Sequence, residues 1–430
     1  MAVISKSLLK SLSVYTFGNI INAAVPFLLL PFLTNYLSTT DYGLIAIFQV
    51  ILSFTNPVSG LSVSGAISRQ YYFTRDEPNE FRRYVTNALF LVTIATGIVL
   101  ILYYLFQNTI STYTDFPSDW LWIILVCSFC HNLIEVTLSI WRVKLKATYY
   151  VLFRFLRTIT EMGLSILLIL YVDTSWESRV EGQFYISILF ALLALFFMYK
   201  MKLFQVGFKV SKKYLKDLMA FGVPLIPHAI GAVFITMSDR LFLTNMISIE
   251  EMGLYSVGFQ VAQVISLVQT SFNQAWVPFF YGKLKEDKYE TKIKIVKFTY
   301  LYFAAMIFIV ILLTIFAPFI YSVFIGENFG ESIKYVFLIA LGFAFNGMYK
   351  MVVNYFFYLK KTRFIASITI VTAIINVVLN YYLILEFGAM GCAIATALAF
   401  FIQFILVWFF SARTYKMPWL YFLPTKVDSN

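Results

Sequence analysis

The sequence predicts an all-α polytopic membrane protein of twelve transmembrane helices, arranged as two parallel-repeat lobes of six helices each. Three observations carry this expectation. Of 430 residues, 60% are hydrophobic and 13% charged, whereas soluble domains carry about 25% charged residues. Of the 33 lysines and arginines, 27 fall at the two termini and in alternate connections between apolar stretches. Finally, a segment recurs 210 positions downstream: Phe32–Leu44 reads FLTNYLSTTDYGL and Phe242–Leu254 reads FLTNMISIEEMGL, identical at seven of thirteen positions.

A spanning helix needs about 20 apolar residues. Stretches of that kind lie at 11–36, 42–68, 84–106, 120–141, 148–171, 182–199, 218–246, 253–281, 298–325, 334–358, 364–385 and 389–411. The first follows Lys6 and Lys10 without a small-residue cleavage site after a short core, so it reads as an uncleaved span. Twelve is even, which puts both termini on one side. The basic residues cluster in the connections on that side, so the positive-inside rule makes both termini cytoplasmic. The opposite loops are short and acidic (Asp115 and Asp119, Glu250 and Glu251) and carry only Arg179 and Lys334. They leave no room for an external catalytic domain. The net charge of +11 thus reads as topology, not as a nucleic-acid footprint. The 46 Phe, 29 Tyr and 7 Trp suit lipid-facing surfaces and interfacial belts.

The longest inward connection, 200–217, holds six lysines interleaved with apolar residues. It reads as a basic amphipathic linker on the anionic inner leaflet. It divides an N-terminal lobe, 1–199, from a C-terminal lobe, 218–411, with a cytoplasmic tail at 412–430. A repeat of six spans restarts on the side where it began, so the lobes are related by an axis along the membrane normal. Such a pair can enclose a midplane cleft that opens to either side in turn, which favours a transporter.

Charges inside spans are costly, about 2.5–3.5 kcal/mol each on insertion scales, and usually face a bundle interior or a hydrated cavity. Arg154, Arg157 and Glu161 share one face of the fifth span. His131, Glu135 and Arg142 follow the same spacing in the fourth. The arginines suit phosphate, since guanidinium presents a fork that matches its oxygens. Equally, Glu135–Arg154 and Arg157–Glu161 pairs could lock helices together. His228 follows Pro224 and Pro227. It is either a proton-coupling group, because imidazole titrates near neutrality, or a donor to a carbonyl freed by the prolines. Asp239 and Arg240 are adjacent and should face different ways, as gate or structure. Asn346, Lys350 and Asn354 form a polar stripe in the tenth span, with Lys350 too deep for easy snorkelling. Asn376 and Asn380 are explained by interhelical hydrogen bonds. The run from Gly388 to Ala393 reads as a small-residue packing face. Counting Arg69 at the end of the second span, in-span cations outnumber the anions Glu135, Glu161 and Asp239, which favours an anionic cargo.

Cys127, Cys130 and Cys392 all lie in apolar runs, so packing is expected and neither a disulfide framework nor a metal site is supported. Walker, HExxH and dinucleotide-binding motifs are absent. No cofactor is expected, and energy would come from an H+ or Na+ gradient or from the substrate gradient.

The opening FGNIINAAVPFLLLPFLTNYLSTTDYGL, the midpoint SDRLFLTNMISIEEMGLYSVG and the run GAMGCAIATAL resemble the polysaccharide-export branch, the O-antigen or Wzx-type flippases, of the multidrug/oligosaccharidyl-lipid/polysaccharide exporter superfamily. The resemblance covers nearly the whole chain in span number, length and order. It implies a V-shaped, MATE-like pair of lobes in a bacterial inner membrane. These would move an undecaprenyl-pyrophosphate-linked oligosaccharide from the cytoplasmic to the periplasmic leaflet among membrane lipids, alongside a polysaccharide polymerase and chain-length regulator. Arg154, Arg157 and Lys350, with Arg69, Asn346 and Asn354, would line the cavity. His228, Glu161, Glu135, His131, Asp239 and Arg240 are candidates for coupling or gating. The alternatives are a cation-coupled multidrug or organic-cation antiporter of the same superfamily, which would use the acidic groups, and a membrane polymerase or acyltransferase.

Overall fold

The computed structural model describes residues 18, 25, 27–74, 77–203, 210–359 and 362–420, the side chains of residues 228, 235, 275, 278, 362, 363 and 366 excepted. The described residues are helical almost throughout and include no strand. In order the helices are α1 (Phe27–Tyr36), α2 (Thr39–Gly60), α3 (Val63–Phe73), α4 (Pro78–Thr114), α5 (Leu121–Val143), α6 (Ala147–Tyr171), α7 (Trp176–Lys200), α8 (Lys212–Gly222), α9 (Ile226–Met246), α10 (Ile249–Ala262), α11 (Val264–Leu284), α12 (Tyr289–Phe324), α13 (Ile333–Tyr358), α14 (Thr362–Phe387) and α15 (Ala389–Thr414). Among the described residues, nine helical segments are long and apolar enough to cross a membrane. The 25-residue α6 is not one of them, because Arg154, Arg157 and Glu161 sit together in its middle. The protein is therefore a multi-pass membrane protein. Most of the expected first span, 11–36, and residues 204–209 of the linker lie outside the described residues.

Several spans differ in form from the simple stretches expected. The second is broken: α2 stops at Gly60 and α3 begins at Val63, with Leu61 and Ser62 both left-handed at φ 45° and 48°. The seventh is also divided, with a 3-10 turn over Val223–Leu225 that places Pro224 and Pro227 at helix starts, where a missing N–H costs least. By contrast α4 and α12 run to 37 and 36 residues, about 55 Å at 1.5 Å per residue. They overshoot a hydrocarbon core of about 30 Å and carry their first turns into the basic connections. Their apolar outer stripes are exposed, for example Ile94, Ile98, Ile101 and Leu105 on α4 and Leu301, Phe308 and Ile315 on α12, as lipid contact requires.

The repeat is visible atom by atom. Thr34 Oγ1 donates to the Leu30 carbonyl and Thr244 Oγ1 to that of Arg240, both at 2.9 Å. Asn35 Nδ2 donates to Pro31 at 2.7 Å, and Asn245 Nδ2 to Leu241 at 2.8 Å. Each copy then ends one helix and starts the next with a serine N-cap: Ser38 Oγ accepts from the Asp41 amide at 3.1 Å, Ser248 Oγ from the Glu251 amide at 3.2 Å. The conserved function of FLTN-x-x-S is thus to stop a helix, turn, and cap its successor. α2 and α10 begin at Thr39 and Ile249, and α4 and α12 end at Thr114 and Phe324, again 210 residues apart. Outside the spans, its own backbone amide and the Ser248 hydroxyl hold the Glu250 carboxyl below the usual carboxylate range. Ser38→Ala should remove a complete capping box and cost about 1 kcal/mol, readable as a lower thermal midpoint in detergent.

Contacts divide the chain into two compact units: Met1–Leu254 with Gly326–Asn328, and Tyr255–Ile325 with Phe329–Asn430. In the first, α3, α4, α5 and α7 bury a core around Ile67, Tyr84, Val85, Val92 and Val136. A second cluster joins α5, α6 and α7 through Leu138, Trp141, Phe153 and Phe190. Arg69 is tied to this unit's α8 by Asp217, which also accepts from Tyr84 Oη at 2.7 Å, and its guanidinium lies over Phe221. In the second unit α13 packs on α15, where Gly342 admits the backbone of Ala397. The turn from α14 to α15 needs glycine: Gly388 has φ 58°, and a Cβ on Gly391 would fall 2.2 Å from the Leu383 carbonyl oxygen. Ala389, Gly391, Cys392 and Ala393 are buried there, as a packing face should be. Cys127, Cys130 and Cys392 are free and buried.

Candidate functional site

Polar groups inside the first unit converge on the break between α2 and α3. Pro57 lies inside the last turn of α2, where it removes one backbone donor, and the Leu61 amide closes the helix on the Pro57 carbonyl at 3.1 Å. Irregular backbone at membrane depth is tolerated where it lines a cavity, and it does so here. A space of about 450 Å³ is bounded by Asn56, Pro57, Gly60, Ser62, His131 and Glu135, among others. Behind two of its lining residues, Asn56 and Asn132, runs a buried hydrogen-bond chain: Ser128 Oγ donates to Asn56 Oδ1 at 2.7 Å, Ser59 and Ser128 hydroxyls meet at 2.7 Å, and Asn132 Nδ2 donates to Ser59 Oγ at 3.0 Å. A Cβ on Gly60 would strike the Asn132 amide, so glycine here leaves that side chain free to bond to Ser59.

His131 and Glu135 also border a second, smaller space of about 130 Å³, lined by Arg154, Arg157, Thr158 and Glu161. The charged faces expected on the fourth and fifth spans therefore do meet, as α5 against α6. Neither anticipated lock forms. Arg157 reaches only the Ser187 hydroxyl at 3.5 Å, and its Nε is buried without a partner. Glu161 pairs instead with Arg179 of α7 at 3.2 Å, both side chains less than one-fifth exposed. Arg179 was read as an outer-loop residue because hydropathy starts that span at 182. The helix starts at Trp176, and Gly182 lets its first turns close on Ser165 of α6, which brings Arg179 inward. Arg154 donates to Tyr150 Oη at 3.1 Å and Arg142 to the same oxygen at 3.3 Å, with both guanidiniums over the Tyr150 ring. Glu135 forms no ion pair among the described residues. The smaller space is thus bordered by the cations Arg154 and Arg157 with Glu135, while Glu161 is neutralised by Arg179.

The other candidates fall elsewhere. Asp239 and Arg240 do not diverge: their side chains pair at 3.2 Å, and the Asp239 carboxylate also accepts the Arg240 amide at 2.9 Å. Both are buried in the first unit, where each charge loses hydration, and their mutual attraction offsets part of that cost. His228 lies in the first turn of α9, and its side chain is outside the described residues. In the second unit Asn346, Lys350 and Asn354 share the face of α13 that meets α11. Gln269 Nε2 donates to Asn346 Oδ1 at 3.3 Å, Lys350 Nζ to Thr270 Oγ1 at 3.1 Å, and Asn354 Nδ2 to the Lys350 carbonyl at 2.7 Å. Asn380 bonds to Asn376 within α14.

Sequence reasoning missed Asn56, Ser59, Ser128, Asn132 and Arg179. The spacing of Ser128, Asn132 and Glu135 along one helical face was available as a signal.

An all-helical, multi-pass chain with a polar, net-cationic recess inside one bundle belongs to the membrane transport class. The polysaccharide biosynthesis protein family matches residues 8–282, and the MatE family matches residues 224–382. The chain therefore belongs to the polysaccharide biosynthesis protein family. It is 28% identical to an Lsg locus protein of Haemophilus influenzae over 375 residues, 86% of this chain and 89% of that one. It is 21% identical to a protein of Haloferax volcanii named as a probable low-salt glycan biosynthesis flippase, Agl15, over 90% of this chain and 80% of the other. Among solved structures, the inward closed lipid II flippase MurJ matches with a TM-score of 0.71 at 17% identity, over 96% of this chain and 88% of that one. That likeness shows the fold.

Proposed function

We propose that the protein is a flippase that carries an undecaprenyl-pyrophosphate-linked oligosaccharide, an O-antigen or related polysaccharide repeat unit, from the cytoplasmic to the periplasmic leaflet of a bacterial inner membrane. Alternating access between lobes 1–199 and 218–411 would drive the exchange, and a polymerase and chain-length regulator would act on the product. Family membership and the glycan and lipid II flippases among its relatives support this reading. The observation that carries it is Arg157: a guanidinium inside the bundle, facing a cavity, that forms no ion pair with a carboxylate among the described residues. Such a group is stabilised by an anion that arrives and leaves. A cation antiporter would need the opposite balance, yet Glu161 is already neutralised by Arg179 and Glu135 alone faces the two arginines.

In this reading Arg154 and Arg157 hold the pyrophosphate, while Asn56 and Asn132, which line the larger space and are held from behind by Ser59 and Ser128, offer donors and acceptors to sugar hydroxyls. Lys350, which has a hydroxyl but no carboxylate within ion-pair distance among the described residues, is the second unit's own candidate for binding an anion. His131 and Glu135, standing between the two spaces, are the groups proposed for H+ or Na+ coupling. Depletion of the protein should cause the lipid-linked oligosaccharide to accumulate in the cytoplasmic leaflet, measured by accessibility to an impermeant glycan-modifying enzyme. If the intermediate instead reaches the periplasmic face unpolymerised, the protein is an enzyme of later assembly and the reading fails.

A further inference from the structure

The second unit holds a groove that the transport reading leaves unused. Along α11, Phe272, Trp276, Phe279 and Lys283 are spaced by four, three and four residues, and so share one face; Lys294 and Phe298 of α12 stand opposite. Between them lies a space of about 640 Å³. Its floor is a stack of nearly parallel rings. Trp276 and Phe298 lie 4.9 Å apart at 14°, Phe272 and Phe298 6.1 Å apart at 18°, and Phe272 and Tyr302 4.5 Å apart at 29°. The outer wall is open among the described residues: Phe279 is 54% exposed and Phe298 40%.

The rim is ionic. Lys283 pairs with Glu286 at 2.7 Å, and the other Glu286 oxygen accepts the Thr291 hydroxyl at 3.2 Å. Lys288 and Lys294 form no ion pair among the described residues, and Glu290 is the remaining acid lining the groove, so the rim keeps one net positive charge. Eleven residues separate Lys283 from Phe272, about 16 Å along the helix at 1.5 Å per residue. The groove therefore descends from a basic connection, placed at the cytoplasmic surface by charge asymmetry, into hydrocarbon depth. Cations at headgroup level above a flat apolar wall complement a phosphate above a chain.

We infer that this groove holds an anionic phospholipid of the cytoplasmic leaflet, its phosphate at Lys288 and Lys294 and one acyl chain along Trp276, Phe279 and Phe298. The inference concerns a resident lipid and stands whatever cargo the protein carries. Trp276 supplies the reporter. The full-length protein is placed in phosphatidylcholine nanodiscs doped with chain-brominated phosphatidylglycerol or with chain-brominated phosphatidylcholine. The Trp276 contribution is isolated as the difference from Trp276→Phe, which keeps an aromatic ring in the stack. Bromine on the anionic lipid should quench that component at a mole fraction about fivefold lower than bromine on the zwitterionic lipid, roughly the worth of one lysine at an anionic surface. Combining Lys288→Gln with Lys294→Gln should erase the preference without altering the emission of the remaining tryptophans. Chainless glycerol 3-phosphate should leave Trp276 emission unchanged. Equal quenching by both lipids would overturn the inference, as would a preference that survives loss of both lysines. A response to glycerol 3-phosphate alone would show a free-phosphate site and overturn it likewise.

Discussion

Arg157→Ala is expected to lower glycan export by about tenfold or more while leaving the folded protein at least as stable as the parent. The two halves of that statement have one cause. A hydrogen bond between charged groups is worth about 1.5–3 kcal/mol, and each 1.4 kcal/mol is a factor of ten, so removing the guanidinium should cost transport in that range. In the resting protein the same guanidinium donates to the Ser187 hydroxyl at 3.5 Å, and its Nε is buried without a partner among the described residues. A buried donor left unpaired costs folding free energy, and alanine removes it. Arg157→Lys should recover part of the activity, since it restores the charge but not the fork. Arg179→Ala makes the opposite case. It would strand Glu161, 17% exposed at the side chain, and breaking a buried pair in this way costs about 3–5 kcal/mol. Export assays paired with thermal unfolding in detergent separate the roles. If Arg157→Ala destabilises as Arg179→Ala does, Arg157 is a lock and not a ligand.

What the sequence made legible follows from which physical signals are local. Hydrophobic stretches, basic connections and the recurrence of FLTN-x-x-S are properties of contiguous residues, and helices lie over the expected stretches among the described residues, with ends that differ. The grouping of His131, Glu135, Arg154 and Arg157 was also readable, because helical spacing puts each set on one face and a short connection makes α5 and α6 neighbours. Partner choice was not. Whether Glu161 meets Arg157 or Arg179 depends on how α6 and α7 rotate against each other, and that is set by Gly182 closing on Ser165. The break at Leu61 and Ser62 was equally hidden. Left-handed backbone is unfavourable for such residues, so no local preference announces it. Here the Leu61 carbonyl oxygen packs against Gly222 of α8, with no space for a Cβ between them. The Asn56–Ser128–Ser59–Asn132 chain escaped notice because small neutral polar residues carry little hydropathy signal individually.

The second large effect expected lies where the two copies of the repeat touch within the first unit. A Cβ on Gly43 would fall 2.3 Å from the carbonyl oxygen of Ile249, and a Cβ on Gly253 would fall 2.0 Å from that of Thr39. Gly43 and Gly253 are equivalent positions, as are Thr39 and Ile249, so the contact is reciprocal, like an isologous interface folded into one chain. Thr40 Oγ1 and Glu250 Oε1, also equivalent positions, bridge it at 3.2 Å. In both directions the obstacle is backbone in the first turn of a capped helix, which has no side-chain rotamer with which to give way. Gly43→Ala and Gly253→Ala should therefore each destabilise by about 1–3 kcal/mol, the range for overpacked interiors, despite alanine's better helix propensity. The double variant should cost less than the sum, because once one substitution has parted the two backbones the second meets an opened contact. Gly97→Ala in α4 and Gly163→Ala in α6 provide the scale, since nothing lies within 4 Å of a Cβ at either site and each should be neutral or mildly stabilising. Unfolding of the five variants in one detergent decides the matter: if Gly43→Ala behaves like Gly97→Ala, or if the pair proves strictly additive, the two copies are not held together at these glycines.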